Sequence, residues 1–378
     1  MLQAFRNGRI FTGSGFETGR TLLVRDERIE AVVSASTVHG ADRIVDLGGR
    51  TLVPGFIDTQ VNGGGGVLFN QDPSVASIAA IGEAHRKFGT TGFLPTLISD
   101  DLHVVERAIA AVREAIARRV PGVLGIHIEG PFLAPEKRGV HAASKLRTID
   151  AEALRLLTTP HGGVTLVTLA PEETTPESIR ALSEAGVIVS AGHTNATYDE
   201  LQPAFASGLR GFTHLFNAMS GLGSRDPGAV GAALDNDDCW CGLIVDGHHV
   251  HAATLKIALR AKRHDRFLLV TDAMPSVGSD TTSFQIQGRN ISVRGDRIVD
   301  EEGRLAGAHL DMASAVRNAV RLLGLDLADA IRMASANPAA FLRLSDHSGR
   351  IATGQRANLA LLDDDLQVVG TWIDGQPY

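Results

Sequence analysis

Two hydrophobic rhythms divide the chain. Near its start, AFRNGRIFTG, TLLVRDERIEAVV and DRIVDLGGRTLVP alternate apolar with polar residues between glycine and asparagine turns, the period-two pattern of half-buried strands. The segment GRIATGQRANLALLDDDLQVVGTWIDGQPY at the other end does the same. Together they predict one small β domain, a β-sandwich made of residues 1–52 plus 346–378. The middle reads differently. Short apolar runs end in polar residues, and helix-like stretches such as SIAAIGEAHRKFG and TPESIRALSEAG follow, several closed by glycine. The runs are LVPGFID (52–58), GFLPTL (92–97), VLGIHIEG (123–130), VTLVTLAPE (164–172), VIVSAGH (187–193), GFTHLFN (211–217), CGLIVDG (241–247) and RFLLVTD (266–272). Eight β-then-α units predict an α/β fold, a (β/α)8 TIM-like barrel over residues 53–345. An open doubly wound sheet shares the pattern. After the eighth run, FQIQGRNISVRGDRIVDEEGRLAG (284–307) interrupts the rhythm as a β-rich insert with hairpin turns.

Composition narrows the classes. Apolar residues make up 44% and charged residues 21% of the 378 positions, an ordinary globular balance. Net charge is −7 with no basic block, which argues against a nucleic-acid partner. MLQAFRNGRIFTG does not read as a secretory leader, and no apolar run reaches membrane-spanning length. The expectation is a cytoplasmic enzyme with no membrane partner. Cys239 and Cys241 share a strand face at i, i+2, poor geometry for a disulfide. They read as reduced core residues, with a two-thiol metal site as the weaker alternative.

Active sites of such barrels form at the C-terminal ends of the strands. Asp58, Glu129, His193, His214 and Asp272 end predicted strands, and His248 and His249 follow the seventh. A lone histidine there is usually structural; five such strand ends are a pattern. One carboxylate with two imidazoles can hold zinc or iron and leave a position for water, whose pKa then falls to about 7. Amide hydrolysis also needs a group that takes the water proton and returns it to the amine. Asp272, in LLVTDAM, follows four apolar residues and is expected to point into the barrel mouth as that acid/base. Glu129 and His127 lie on one strand face in HIEGPF, so either could be the ligand or a structural partner of the other.

PGFIDTQVNGGGG, HIEGPFL, RGVHAAS, SAGHTNATYDE, FTHLFNAMSG, VDGHHV and LVTDAMPSVG occur in this order. Together they resemble the N-acetylglucosamine-6-phosphate deacetylase family of the amidohydrolase superfamily. The likeness runs over nearly the whole chain, on to ANLALLDDD. It implies Glu129, His193 and His214 as metal ligands and Asp272 as general acid/base. It implies His141, beside Val140, as the residue that contacts substrate and helps polarise the acetyl carbonyl. Asn217 and Ala218 fall in its phosphosugar segment, Arg225 and His249 match phosphate-holding residues, and Leu305, Ala306 and Gly307 match a loop packed on the sugar. Some members carry histidines where this chain has Gln60 and Asn62; amides are poor ligands there, which implies one divalent ion per subunit rather than two. A homodimer with its phosphate site near the interface is also implied.

Two other signals carry less. NGGGG lacks the Lys-Ser/Thr of a phosphate-binding P-loop. In DGHHVH only His249 matches a functional position, leaving His248 and His251 as bystanders. An exposed Arg225 could simply pair with Asp226. The reading is hydrolytic deacetylation of N-acetylglucosamine 6-phosphate, a phosphorylated amino sugar. The alternatives are the galactosamine epimer as substrate, a different amidohydrolase chemistry, or a non-catalytic scaffold on the same barrel.

Overall fold

A computed structural model describes residues 1–37 and 40–378. Among them, eight parallel strands follow one another around a barrel in chain order. They are β1 (Phe56–Val61), β2 (Thr90–Ile98), β3 (Gly125–Glu129), β4 (Val164–Leu169), β5 (Ile188–Ala191), β6 (Leu209–Phe212), β7 (Trp240–Leu243) and β8 (Phe267–Leu269). β1, β2 and β3 are buried along their whole lengths, which is why these runs lack the alternation seen at the chain ends. The ring closes past β8, where Val61 and Ala273 form a parallel bridge and the Asp272 amide donates to the Gln60 carbonyl at 3.0 Å.

Helices pack outside the strands by their apolar stripes. In α1 (Val75–Arg86), Ser74 caps the start by accepting from the Ser77 amide, and Ile78 and Ile81 face inward. In α2 (Leu102–Ala117), Leu102, Val105, Ile109 and Val112 are buried at three- and four-residue spacing.

The structure corrects the first apolar run. Residues 52–58 are not one strand. Thr51–Pro54 pairs with Leu359–Leu362 in a sheet of the chain ends, and the barrel strand begins only at Phe56. Gly55 makes the transition: a Cβ there would sit 2.2 Å from the Thr91 side chain, so only glycine lets the backbone pass. Asp58 is therefore not a strand end. It lies buried within β1, where its carboxylate accepts from Thr271 Oγ1 at 2.5 Å and from the Gln60 amide at 3.1 Å. Burial pushes its pKa up to about 7.

Both chain ends contribute to a six-stranded sheet that carries Arg9–Phe11, Thr51–Pro54 and Val368–Ile373, beside a four-stranded sheet from the N-terminal segment. Phe5, Ile10, Leu22, Leu52, Leu359 and Trp372 share one apolar cluster between them. The insert folds as four antiparallel strands, Ser283–Ile286, Arg289–Arg294, Arg297–Asp300 and Leu305–Ala308. Its underside, Ile286, Ile291, Ile298 and Ala306, packs on Leu68, Ile98 and Met274 above the barrel. No helix among the described residues is long and apolar enough to cross a membrane.

Candidate active site

Glu129 ends β3, and His193 and His214 lie just beyond β5 and β6. All three are buried, and one ligand atom from each lies within 4.8 Å of the other two. Glu129 Oε1 is 3.1 Å from His193 Nε2 and 3.0 Å from His214 Nε2, and the two Nε2 atoms are 3.1 Å apart. His193 Nδ1 lies 2.8 Å from the Lys137 carbonyl. A carbonyl only accepts, so Nδ1 carries the proton and Nε2 presents a lone pair to the centre. Burial alone pulls His214 down and pushes Glu129 up. Contacts and charge from His193 and then His214 nonetheless hold Glu129 well below the usual carboxylate range, and the Glu129 hydrogen bond and charge leave His214 raised. Lone pairs converging where positive charge is favoured fit a divalent cation. His127, the alternative ligand, sits deeper: its Nε2 meets Thr168 Oγ1 at 2.7 Å, and burial depresses its pKa to about 4.

Asp272 faces this centre just past β8. Its Oδ1 accepts from Asn62 Nδ2 at 2.6 Å and from Gln60 Nε2 at 3.1 Å. The same Gln60 Nε2 reaches both oxygens of Glu129 at 3.2 Å. Gln60 thus links two carboxylates that would otherwise repel, and Asn62 adds a second donor to Asp272. Burial, then the Glu129 charge, pushes Asp272 up to about 6, against the pull of His214, His249 and the Asn62 hydrogen bond. A carboxyl titrating near neutrality suits acid/base work.

His193, His214 and Asp272 share a backbone trait. Their φ angles are 49°, 35° and 52°, the left-handed region that side chains rarely occupy. Each strand end is turned sharply so that the side chain drops into the mouth, and such outliers cluster at functional sites.

His141 is buried against His193, with ring centroids 4.5 Å apart; burial and then the His193 charge depress its pKa to about 3. Val140 and Ala306 both join the apolar cluster beneath the insert. Leu305 and Gly307 flank Ala306 on the last insert strand, and a Cβ on Gly307 would meet Met274 at 2.4 Å. Asn217 turns its Nδ2 back to the His214 carbonyl at 3.1 Å, and Ala218 accepts from the Thr194 amide through its own carbonyl. His249 Nδ1 pairs with Asp246 at 2.6 Å. Arg225 lies on an exposed loop. The neighbouring Asp226 accepts from the Gly228 and Tyr198 amides and forms no ion pair with it among the described residues. His248 lies 2.8 Å from Asp296 of the insert, and His251 caps a helix by accepting from the Ala253 amide. Both cysteines are buried and unpaired, and burial pushes their thiols up to about 12.

Sequence reasoning missed Ser99 and Gln287, which touch His141 and its loop. Neither belongs to a motif; a serine after a strand and a glutamine in a hairpin turn carry no chemical signature.

The model of the amidohydrolase family matches residues 51–377. An N-acetylgalactosamine-6-phosphate deacetylase of Shewanella sp. is 48% identical over 86% of this chain and 82% of its own length. An N-acetylglucosamine-6-phosphate deacetylase of Haemophilus influenzae is 36% identical over 100% of this chain and 99% of its own. The crystal structure of the Pasteurella multocida N-acetylglucosamine-6-phosphate deacetylase superposes with a TM-score of 0.97 at 37% identity, each chain covered in full.

Proposed function

The chain belongs to the amidohydrolase family, and we propose that it hydrolyses the acetamide of N-acetylglucosamine 6-phosphate, releasing acetate and glucosamine 6-phosphate. The observation that carries this reading is the convergence of Glu129, His193 and His214 opposite Asp272. A divalent cation held by those three ligands, zinc or iron by their chemistry, would supply Lewis acidity and acidified water there.

The chain's own groups account for the proton traffic. Gln60 and Asn62 occupy Asp272 Oδ1, leaving Oδ2 to take the proton of the attacking water. As the water oxygen bonds to the acetyl carbon, His141 donates a hydrogen bond to the carbonyl oxygen where negative charge collects. Asp272 then delivers its proton to the sugar nitrogen as the C–N bond breaks, so one residue serves as base and then acid. Asn217, Ala218, Val140 and residues 305–307 would hold the sugar. The exposed Arg225 and His249, oriented by Asp246, would bind the phosphate. Arg225 stands on a solvent-facing loop, as expected if a second subunit of a cytoplasmic homodimer completes that site.

The epimer N-acetylgalactosamine 6-phosphate is the second reading, favoured by the 48% identity to a deacetylase named for it. The two sugars differ at one hydroxyl, which one or two hydrogen bonds can discriminate. The test is acetate release from both phosphosugars, with and without chelator, alongside metal analysis. The expected result is chelator-sensitive release and about one tightly held ion per chain. Release that survives removal of the metal would sink the proposal.

A further inference from the structure

His141 is held from one side by a residue outside every motif. Ser99 follows β2 and is buried. Its amide lies 3.2 Å from His141 Nδ1 and its hydroxyl 2.7 Å. An amide N–H can only donate, so Nδ1 must offer its lone pair, and the proton of the neutral ring sits on Nε2. That places the donor on the ring edge away from Ser99. The opposite tautomer would set two N–H groups against each other.

Ser99 is itself gripped from above. Gln287 sits in the tight turn between the first two insert strands, with φ of 48°. Its side-chain amide donates to the Ser99 carbonyl, and its Oε1 accepts from the Ala142 amide at 2.8 Å. One side chain therefore clamps both halves of the contact: the residue that sets the tautomer and the residue that follows His141. The turn cannot drift away, because Ile286 beside it is fully buried in the cluster with Ile98 and Val140, and Gln71 Nε2 holds the Gln285 carbonyl at 2.9 Å.

We propose that the inserted sheet is a positioning device for the reaction: through Gln287 and Ser99 it fixes His141 as the Nε2–H tautomer, ready to donate to the acetyl oxygen. This rests on the assignment of His141 to that oxygen, whereas the tautomer itself rests on geometry alone. Gln287 and Ser99 touch neither substrate nor cation in this account; they act through His141. A loosened clamp leaves the ring free to swing or to exchange tautomers, so the donor is lost from the transition state more than from sugar binding.

The experiment is 15N NMR of histidine-labelled, metal-loaded enzyme without substrate, with His141 assigned by His141→Gln. The native protein should show an unprotonated Nδ1 and a protonated Nε2. Gln287→Glu keeps the acceptor for Ala142 but sets a carboxylate against the Ser99 carbonyl. It should lower kcat by about 10- to 100-fold with KM changed by less than about threefold, as for a misplaced catalytic group, and His141 should lose its single tautomer. Ser99→Ala removes only the hydroxyl contact and keeps the amide donor, so it should lower kcat by less and retain the Nε2–H tautomer, and Ser99→Thr should restore activity. A native His141 protonated on Nδ1 overturns the proposal, even if every variant misfolds. So does a Gln287→Glu enzyme that keeps the native tautomer, whatever its rate. If the native enzyme releases no acetate from either phosphosugar, the substrate reading falls, and the native spectrum still decides the tautomer.

Discussion

The two ends of the barrel invite different expectations. At the N-terminal ends of the strands, a cleft of about 840 Å3 opens between the barrel floor and the sheets of the chain ends, with Arg119, His161, Arg343 and Arg356 on its walls. At the C-terminal ends, the ligand atoms of Glu129, His193 and His214 crowd within 4.8 Å. By its room and its cationic walls, the floor looks like the binding site. Several of its charged groups, however, already have protein partners. Arg356 reaches Asp374 at 2.5 Å and Glu27 at 3.2 Å, Arg119 reaches Glu27 at 3.7 Å, and His161 meets Thr165 at 2.8 Å. At the upper end, Glu129 Oε1 and the Nε2 atoms of His193 and His214 crowd to about 3 Å of one another, and His214 Nδ1 is buried without a hydrogen-bond partner. Space marks where two packed layers fail to fill each other's contour. Unreconciled polar atoms mark where a ligand belongs.

The sharpest way to break this contrast is Asp272→Asn. An amide cannot accept and return a proton, so turnover should fall by about 10²- to 10⁴-fold with metal content unchanged. Near-native turnover with metal bound would strip the upper end of its acid/base. Arg225→Ala is expected next: losing a charge-assisted contact to phosphate should raise KM for the phosphosugar by about 10- to 100-fold and spare the unphosphorylated sugar. Equal effects on both would remove the phosphate contact. The smallest effect belongs to the floor. Arg343 offers only a 3.5 Å contact to the Gly186 carbonyl, so Arg343→Ala should leave kcat/KM within about twofold. A larger loss, measured on folded protein, would mean that the cleft communicates with the mouth.

Much of this was legible in the sequence because the signals are local. An apolar run ending in a polar residue placed seven of the eight strands close to where they lie, and the insert between residues 284 and 307 announced its hairpins by glycine and polar alternation. The first strand was misplaced because two consecutive strands of one apolar run go to different sheets, a fact decided by how closely Thr91 approaches Gly55. Asp58 was misread for the same reason. Gln60 and Asn62 could be recognised as poor ligands, but Gln60 not as a bridge between Glu129 and Asp272, nor Asn62 as a donor to Asp272, since Gln60's partners are 69 and 212 residues away. Ser99 and Gln287 matter only through where a distant turn lands on His141. Residue types and local patterns were visible ahead; contacts between distant residues were not.

The left-handed strand ends at His193, His214 and Asp272 bear on how this scaffold could be redesigned. Because the main chain itself aims each side chain, a replacement side chain inherits its direction from the notch rather than from its neighbours. Asparagine and aspartate tolerate such a bend, whereas valine, isoleucine and threonine resist it. A redesign of this mouth therefore has a short menu at these positions, and a β-branched residue placed there would cost about 1–3 kcal/mol of backbone strain.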